Sequence, residues 1–311
     1  MKSVSHLSDF YYSQLITPLK KLEEDRQNLK HRLIVTVIIM SVLAAIAAYE
    51  LKAYGIILFL YILTGGIVYK FMSKPYVSEF KQNIIKPLVS YIDSSLIYLQ
   101  DSFVSQELFE RSALFGKADK YSGNDFVKGK IEDINIEFSD VHAQEEYRDS
   151  KGRKHHTTIF QGLFIVCEFN KKFKGKTVVF PDSAQSIFGE VIGSFLQSKN
   201  LAQDELVKMD DPSFEKEFVV YSNDQIEARY ILSHSLMKKI LELKQKSKHP
   251  IYISFVNNHI HIAIYYDKDL FEPAVFDSLL DYKIAMEYVT TLHLAVGIVK
   301  ELKLNQKLWA R

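Results

Sequence analysis

Acidic side chains gather in two short stretches whose spacing could do chemistry. Asp210, Asp211, Glu215 and Glu217 precede Asp224, Glu227 and Arg229, and carboxylates beside a guanidinium could hold a divalent cation or work as an acid and base pair. Asp211, Glu215, Asp224, Glu227 and Arg229 are therefore the candidate catalytic residues. They also have a local explanation, which is favoured. Asp211-Pro212 suits the start of a short helical turn, Ser222-Asn223-Asp224-Gln225 fits a capping box, and an acid with Arg229 makes a surface pair.

Histidines come next. His155-His156 lies in a polar loop, His259 and His261 share one face of a strand, and His142 stands elsewhere. Zinc needs three or four convergent ligands, and the chain has no HExxH helix and no paired CxxC, so no metal and no cofactor are expected. Cys167 is mid-strand between Val166 and Glu168, where a buried thiol is favoured over a nucleophile. No P-loop, GxGxxG or GxSxG motif is present. Two basic loop tips remain, Lys151-Gly152-Arg153-Lys154 and the run from Lys171 to Lys176. In the second, Lys171, Lys172, Phe173 and Lys174 combine charge with an aromatic ring, as a contact with lipid headgroups would.

These residues depend on an anchor written into residues 33–71. Leu33 to Tyr49 and Ala53 to Tyr69 are two uncharged apolar runs separated by Glu50-Leu51-Lys52. A 17-residue helix covers about 25 Å, the short end of a membrane span, so the pair reads as a transmembrane hairpin, 33–49 and 53–71, with both termini on one side. Lys20, Lys21, Arg26, Lys30 and Arg32 precede the first run and Lys70, Lys74 and Lys81 end or follow the second, which makes that side cytoplasmic. A cleaved signal peptide fits poorly, because over thirty residues with Glu23, Glu24 and Asp25 precede the first run. Ala44 and Ala48 on one helix and Gly65-Gly66 on the other are small enough to let the helices approach closely.

Charge divides along the chain. Of 311 residues, the first 74 carry a net +4 and the remainder −3, so the positive excess lies beside the membrane and the large domain does not look like a nucleic-acid binder. A single cysteine permits no internal disulfide.

Taken in order, residues 1–32 predict a membrane-proximal helix with Leu19, Leu22 and Leu29 on one face. After a break at Pro75, residues 75–107 predict a stalk helix with apolar positions from Val77 to Phe103, kinked or restarted at Pro87. Residues 108–311 predict a cytoplasmic α+β domain. Lys128 to Phe138 reads as one strand with a phase slip near Asp133, and Thr157 to Phe169 and Lys176 to Phe180 follow it in an antiparallel meander, with Gly162 as a bulge. A helix over Ser183 to Ser198 comes next, then strands Glu205 to Met209 and Glu217 to Tyr221, and a second helix capped by Ser233. Ile251 to Val256 and His259 to Tyr266 form a hairpin around Asn257-Asn258, and a helix from Asp277 carries the apolar stretch Tyr288 to Val299, too short to span a bilayer.

Three stretches, Tyr121 to Gly129 leading to Phe138-Ser139-Asp140-Val141-His142, Phe160 to Phe164 leading to Phe169 to Gly175, and Asp211 to Lys216 leading to Tyr221 to Leu232, resemble the bacterial family classed as domain of unknown function 3137. The likeness runs from about residue 76 to 290 and departs from the family pattern at His234, where a proline is expected. It implies a two-pass inner-membrane protein with a cytoplasmic domain, and it brings no reaction or catalytic residue. The expected function is a membrane-anchored interaction or scaffold module, partnered by the lipid bilayer and by another protein or a second copy, with no enzymatic role. The alternative is a membrane-bound enzyme or ligand sensor using the acidic residues above.

Overall fold

A computed structural model of the chain describes residues 10–131, 133–168, 172–182 and 204–301. They divide into two compact units: the chain up to Leu88 joined by Phe271–Val289, and Val89–Leu270 joined by the chain from Thr290. The layout is α+β, two long apolar helices and an antiparallel sheet with helices.

In the first unit, one π-helical turn, Tyr11–Leu15, leads into α1, Ile16–Leu51. At 1.5 Å per residue α1 is about 54 Å long, so the membrane-proximal helix and the first apolar run are one rod. Lys52 ends it in a left-handed conformation with its N–H on the Ala48 carbonyl, and α2, Tyr54–Phe80, runs back. Half-buried Thr36, Met40, Ala44 and Ala48 on α1 and Ile57, Tyr61, Gly65, Val68 and Met72 on α2 recur at steps of three and four, and Ser41 Oγ lies 2.9 Å from Tyr61 Oη. The glycines are not there for close approach. A methyl group built on Gly65 or Gly66 meets nothing within 4 Å. Around the seam the surface is apolar and uncovered, with Ile38 57%, Phe59 65% and Ile62 65% exposed.

Pro75 does not break α2, which continues to Phe80. The disturbance falls later, in a π-helical turn at Lys81–Ile85 before α3, Lys86–Ile92. There Pro87 has no N–H to give the carbonyl four residues back, and a wider turn relieves that demand. The expected stalk helix to Phe103 is therefore shorter, and Ile97–Leu99 is already a strand, β1.

The buried stripe of α1 is closed by the chain that follows the sheet. Leu19, Leu22, Leu29 and Leu33 form the buried stripe of α1, and Glu23 and Arg26 are buried among them, 7% and 6% exposed. The Arg26 guanidinium meets the Glu23 carboxylate at 2.6 and 2.9 Å, and its Nη1 donates to the Val275 carbonyl at 2.9 Å. Glu23 in turn accepts the Leu279 N–H at 2.9 Å. Tyr76 Oη donates to the Ala274 carbonyl, Lys81 pairs with Glu272, and Tyr288 stacks at a tilt on Phe80, rings 5.3 Å apart. The hydrogen bonds from Arg26 hold the Glu23 carboxyl down at about 2.

The second unit is one antiparallel sheet. Its strands are β1, β2 (Lys120–Ile131), β3 (Ile134–Arg148), β4 (Lys154–Glu168), β5 (Lys176–Pro181), β6 (Glu205–Val207), β7 (Phe218–Ser222), β8 (Ile251–Val256) and β9 (His259–Tyr265), in the order β1-β2-β3-β4-β9-β8-β5-β7-β6. Lys128 to Phe138 is thus two strands. Ile131 pairs with Ile134 across a turn where Asp133 has φ 72°, and the phase slip in the sequence is that turn. The meander is also corrected, since the β8–β9 hairpin inserts between β4 and β5. Asn257, at φ 57°, supplies the left-handed residue of its two-residue turn. Gly162 is not a bulge; the register slips instead between Ala143 and Gln144. Its glycine is required all the same, because φ is +137° and an added methyl would sit 2.3 Å from the Ile264 carbonyl oxygen.

Five helices complete the described elements: α4 (Gln106–Arg111), α5 (Pro212–Glu215), α6 (Gln225–Ile231), α7 (His234–Ser247) and α8 (Tyr282–Glu301). Val289, Leu292, Ala295, Val296, Ile298 and Val299 of α8 are buried, as a core helix requires. The expected helix over Ser183 to Ser198 lies outside the described residues.

Replacing Arg26→Ala leaves the Glu23 carboxylate buried without its partner, a loss of about 3–5 kcal/mol. Limited proteolysis of the full chain is expected to open near residues 272–281 in that variant and not in the parent; equal protection would show that the pair does not hold the segment.

Candidate functional site

The carboxylates of Asp211, Glu215, Asp224 and Glu227 each accept backbone N–H groups. Asp211 caps α5, accepting the Ser213 and Phe214 N–H groups at 2.9 and 3.1 Å, with Pro212 in the first turn. Glu215 accepts the Met209 N–H at 2.8 Å. Asp224, rather than Ser222, caps α6 through the Ile226 and Glu227 N–H groups. Ser222 ends β7, where its hydroxyl donates to the Lys176 carbonyl. Glu227 reaches back to the turn before β5 and accepts the Lys174 and Gly175 N–H groups at 3.0 and 2.7 Å. Arg229 is exposed, and Glu217 pairs with Lys244, which lies 5.3 Å over the Phe218 ring. Among the described residues no three His, Cys, Asp or Glu side chains converge as metal ligands.

The basic tips are likewise occupied. Asp149 accepts the Lys151 and Arg153 N–H groups and pairs with the Arg153 guanidinium at 2.7 Å, and Lys154 pairs with Glu146. In the second tip Lys171 lies outside the described residues, and Lys172 and Lys174 are exposed. Phe173 is 4% exposed and packs edge-on against Phe255, rings 5.7 Å apart. A ring held there is part of the core, which is a correction to the headgroup contact expected of it. Cys167 is buried, and burial pushes its thiol up to about 12, the behaviour of an inert core residue.

Two features lay beyond the sequence reading. The first is a polar margin on the sheet face covered by α4. Ser105 caps α4, and Phe109 carries its weight on Phe160 and Phe164, rings 6.0 and 5.2 Å away. Directly paired strand residues share a face, so Lys128, Glu137, Val166, His261 and Ser254 form one transverse row from β2 to β8. Two residues along, Lys130, Asn135, Glu168, His259 and Val256 form the next. Asn135 donates to Glu168, and burial raises the Glu137 carboxyl. Burial lowers both imidazoles, His261 to about 3, so each ring is neutral near pH 7. His259 and His261 were visible as alternating strand residues. The α4 cover was not, although Ser105, Glu107 and Arg111 carry the cap and i,i+4 pair of a short helix.

The second is Asp140 on β3, 4% exposed, whose Oδ2 accepts the Leu270 N–H. Burial pushes its carboxyl up to about 8, against the pull of that hydrogen bond, with Asp269 and Asp125 adding like charge. A carboxyl raised in the folded state stabilises below its unfolded value near 4 and loses that contribution as pH rises toward 8. Thermal unfolding midpoints are expected to fall by several degrees between pH 5 and 8, and Asp140→Asn to flatten that slope; an unchanged slope would remove Asp140 from the account. For the acidic cluster, Glu227→Ala is expected to cost about 1–3 kcal/mol, and Arg229→Ala to stay within about 0.5 kcal/mol, both read by thermal unfolding. A well-folded Glu227→Ala protein that has lost a cellular phenotype would restore the site reading.

Comparison with known proteins adds a likeness to one family and little more. No curated protein matches the chain. The crystal structure of the mycobacterial trehalose monomycolate transport factor A, TtfA, is similar over 69% of this chain and 95% of that one, at 10% identity and a TM-score of 0.36, a likeness too slight to argue from. Residues 158–304 match the model of a family described as protein of unknown function (DUF3137), starting inside β4. Over those residues, just under half of the chain, it is similar to the DUF3137 family.

Proposed function

We propose that the protein is a membrane-anchored interaction module that holds a partner protein, or a second copy of itself, close to the inner leaflet of the cell inner membrane. The observation that carries this reading is the uncovered apolar surface of α1 and α2 between Leu33 and Phe71. In this reading residues 33–49 and 53–71 cross the bilayer, both termini are cytoplasmic, and the exposed lysines at 70 and 74 meet anionic headgroups. Residues 1–32 and the helix after Pro75 form the stalk, and the sheet unit offers the binding surface. The stalk supports it: a buried ion pair and backbone hydrogen bonds tie Phe271–Val289 to the base of the hairpin, so the chain that leaves the sheet is held where the anchor emerges. The acidic candidates do not favour an enzyme, because Asp211, Glu215, Asp224 and Glu227 are engaged by neighbouring N–H groups.

A reporter active only in the cytoplasm, fused after Arg311, is expected to be active; silence there would overturn the orientation. The full-length protein, purified from native membranes in mild detergent, is expected to bring down a stoichiometric partner that is lost when residues 110–311 are deleted. Recovery of a monomer alone would contradict the module.

A further inference from the structure

The polar margin beneath α4 contains a buried atom that no described residue bonds. His261 is 2% exposed, and its Nδ1 lies 3.2 Å from Ser254 Oγ. Its Nε2 is buried and has no hydrogen-bond partner among the described residues. Leaving such a group unsatisfied costs about 1–3 kcal/mol, so a native fold normally supplies a partner from protein, water or ligand.

The space beside it has a defined chemistry. His261 lines a cavity of about 240 Å³ together with Arg111, Lys172, Asn257, Asn258 and His259. Among the described residues no acidic side chain lines it. Arg111 is held at 2.7 Å by Glu107 on its own helix, and a guanidinium with five N–H donors can bind a carboxylate and still offer others. The neutral His261 ring presents Nε2–H whenever the Ser254 hydroxyl donates to Nδ1. A second cavity of about 580 Å³ shares Leu108 and His259 with the first. Its floor is apolar where Ile97 and Val166 meet Leu108, and its rim carries Lys128, Lys130, Glu137 and Glu168.

We infer that the two cavities form one ligand site, in which Arg111, Lys172 and His261 Nε2 hold the carboxylate or phosphate of a small organic anion whose apolar body lies along Ile97, Leu108 and Val166. Donors converge from α4, from the turn before β5 and from β9, so the pocket exists only when the sheet and its α4 cover are both formed. The site is separate from the acidic cluster and does not rest on the scaffold reading.

The test is calorimetric titration of the full chain in a neutral maltoside detergent with phenyl phosphate and with benzoate, and with phenol as the uncharged control. Saturable binding is expected for at least one anion, and the tighter of the two identifies the group the cavity prefers. Phenol is expected to bind at least ~10-fold more weakly, about 1.4 kcal/mol. Arg111→Ala with Lys172→Ala, both on exposed side chains, is expected to weaken the anion by ~10-fold or more while the melting temperature stays unchanged. His261→Phe, which fills the ring volume and removes Nε2, is expected to weaken it as well. Absence of saturable binding by either anion, equal affinity for phenol, or an unaltered affinity in the Arg111/Lys172 double variant would overturn the site and leave water as the partner of Nε2.

Discussion

The arrangement depends on an apolar surface that the described residues leave uncovered. Between Ile34 and Phe71 twenty large hydrophobic side chains are exposed. At about 2 kcal/mol for each side chain kept in water, that cost exceeds the ~5–15 kcal/mol by which a typical domain is stable. Such a surface demands an apolar environment, and lipid is the one proposed for it. The demand also shapes what lies next to it. The apolar runs carry no charged side chain, and the hydroxyls of Ser41 and Thr64 are satisfied within the helices, Ser41 by the Val37 carbonyl and Thr64 by that of Leu60.

At the base of the hairpin the rule reverses, and charge is buried instead. A buried ion pair is a poor source of stability, because desolvation offsets most of the attraction. Its value is geometric. The Glu23–Arg26 pair spends its remaining hydrogen bonds on the Leu279 N–H and the Val275 carbonyl, so a helix that could have packed on any apolar strand accepts one segment in one register. The sheet unit uses buried polarity differently. Asp140 is kept neutral by burial and receives the Leu270 N–H, the last residue of that unit before the chain passes to the stalk.

How much of this the sequence disclosed follows from the range of each interaction. Apolar runs, turn residues and caps act over a few positions, and they were readable: the hairpin, the Asn257-Asn258 turn, Pro212 behind Asp211, and Ser233 capping α7. Misreadings came where two local patterns look alike. Lys128 to Phe138 alternates whether it is one bulged strand or two strands around Asp133, because a tight turn restores the same alternation. Phe173 among lysines looks like an interfacial ring, and only Phe255 from a strand eighty residues away shows it to be core. Pro75 and Pro87 read as equivalent breakers, yet only the second coincides with a widened turn. The strand order was out of reach, since the insertion of β8 and β9 between β4 and β5 is set by long-range pairing. The acidic cluster was visible as a composition and not as a site, because whether a carboxylate is available depends on the N–H groups around it. The α4 groove had only its two histidines to announce it.

The account stands on the environment of the α1–α2 hairpin, and alkaline carbonate extraction of membranes from cells expressing the full chain addresses it most directly. Carbonate strips proteins held by charge or by a partner and leaves those whose helices lie in the hydrocarbon. The protein is predicted to remain in the membrane pellet and to enter solution only with detergent. Release into the carbonate supernatant would contradict the account, and would mean that another protein covers the apolar face of α1 and α2.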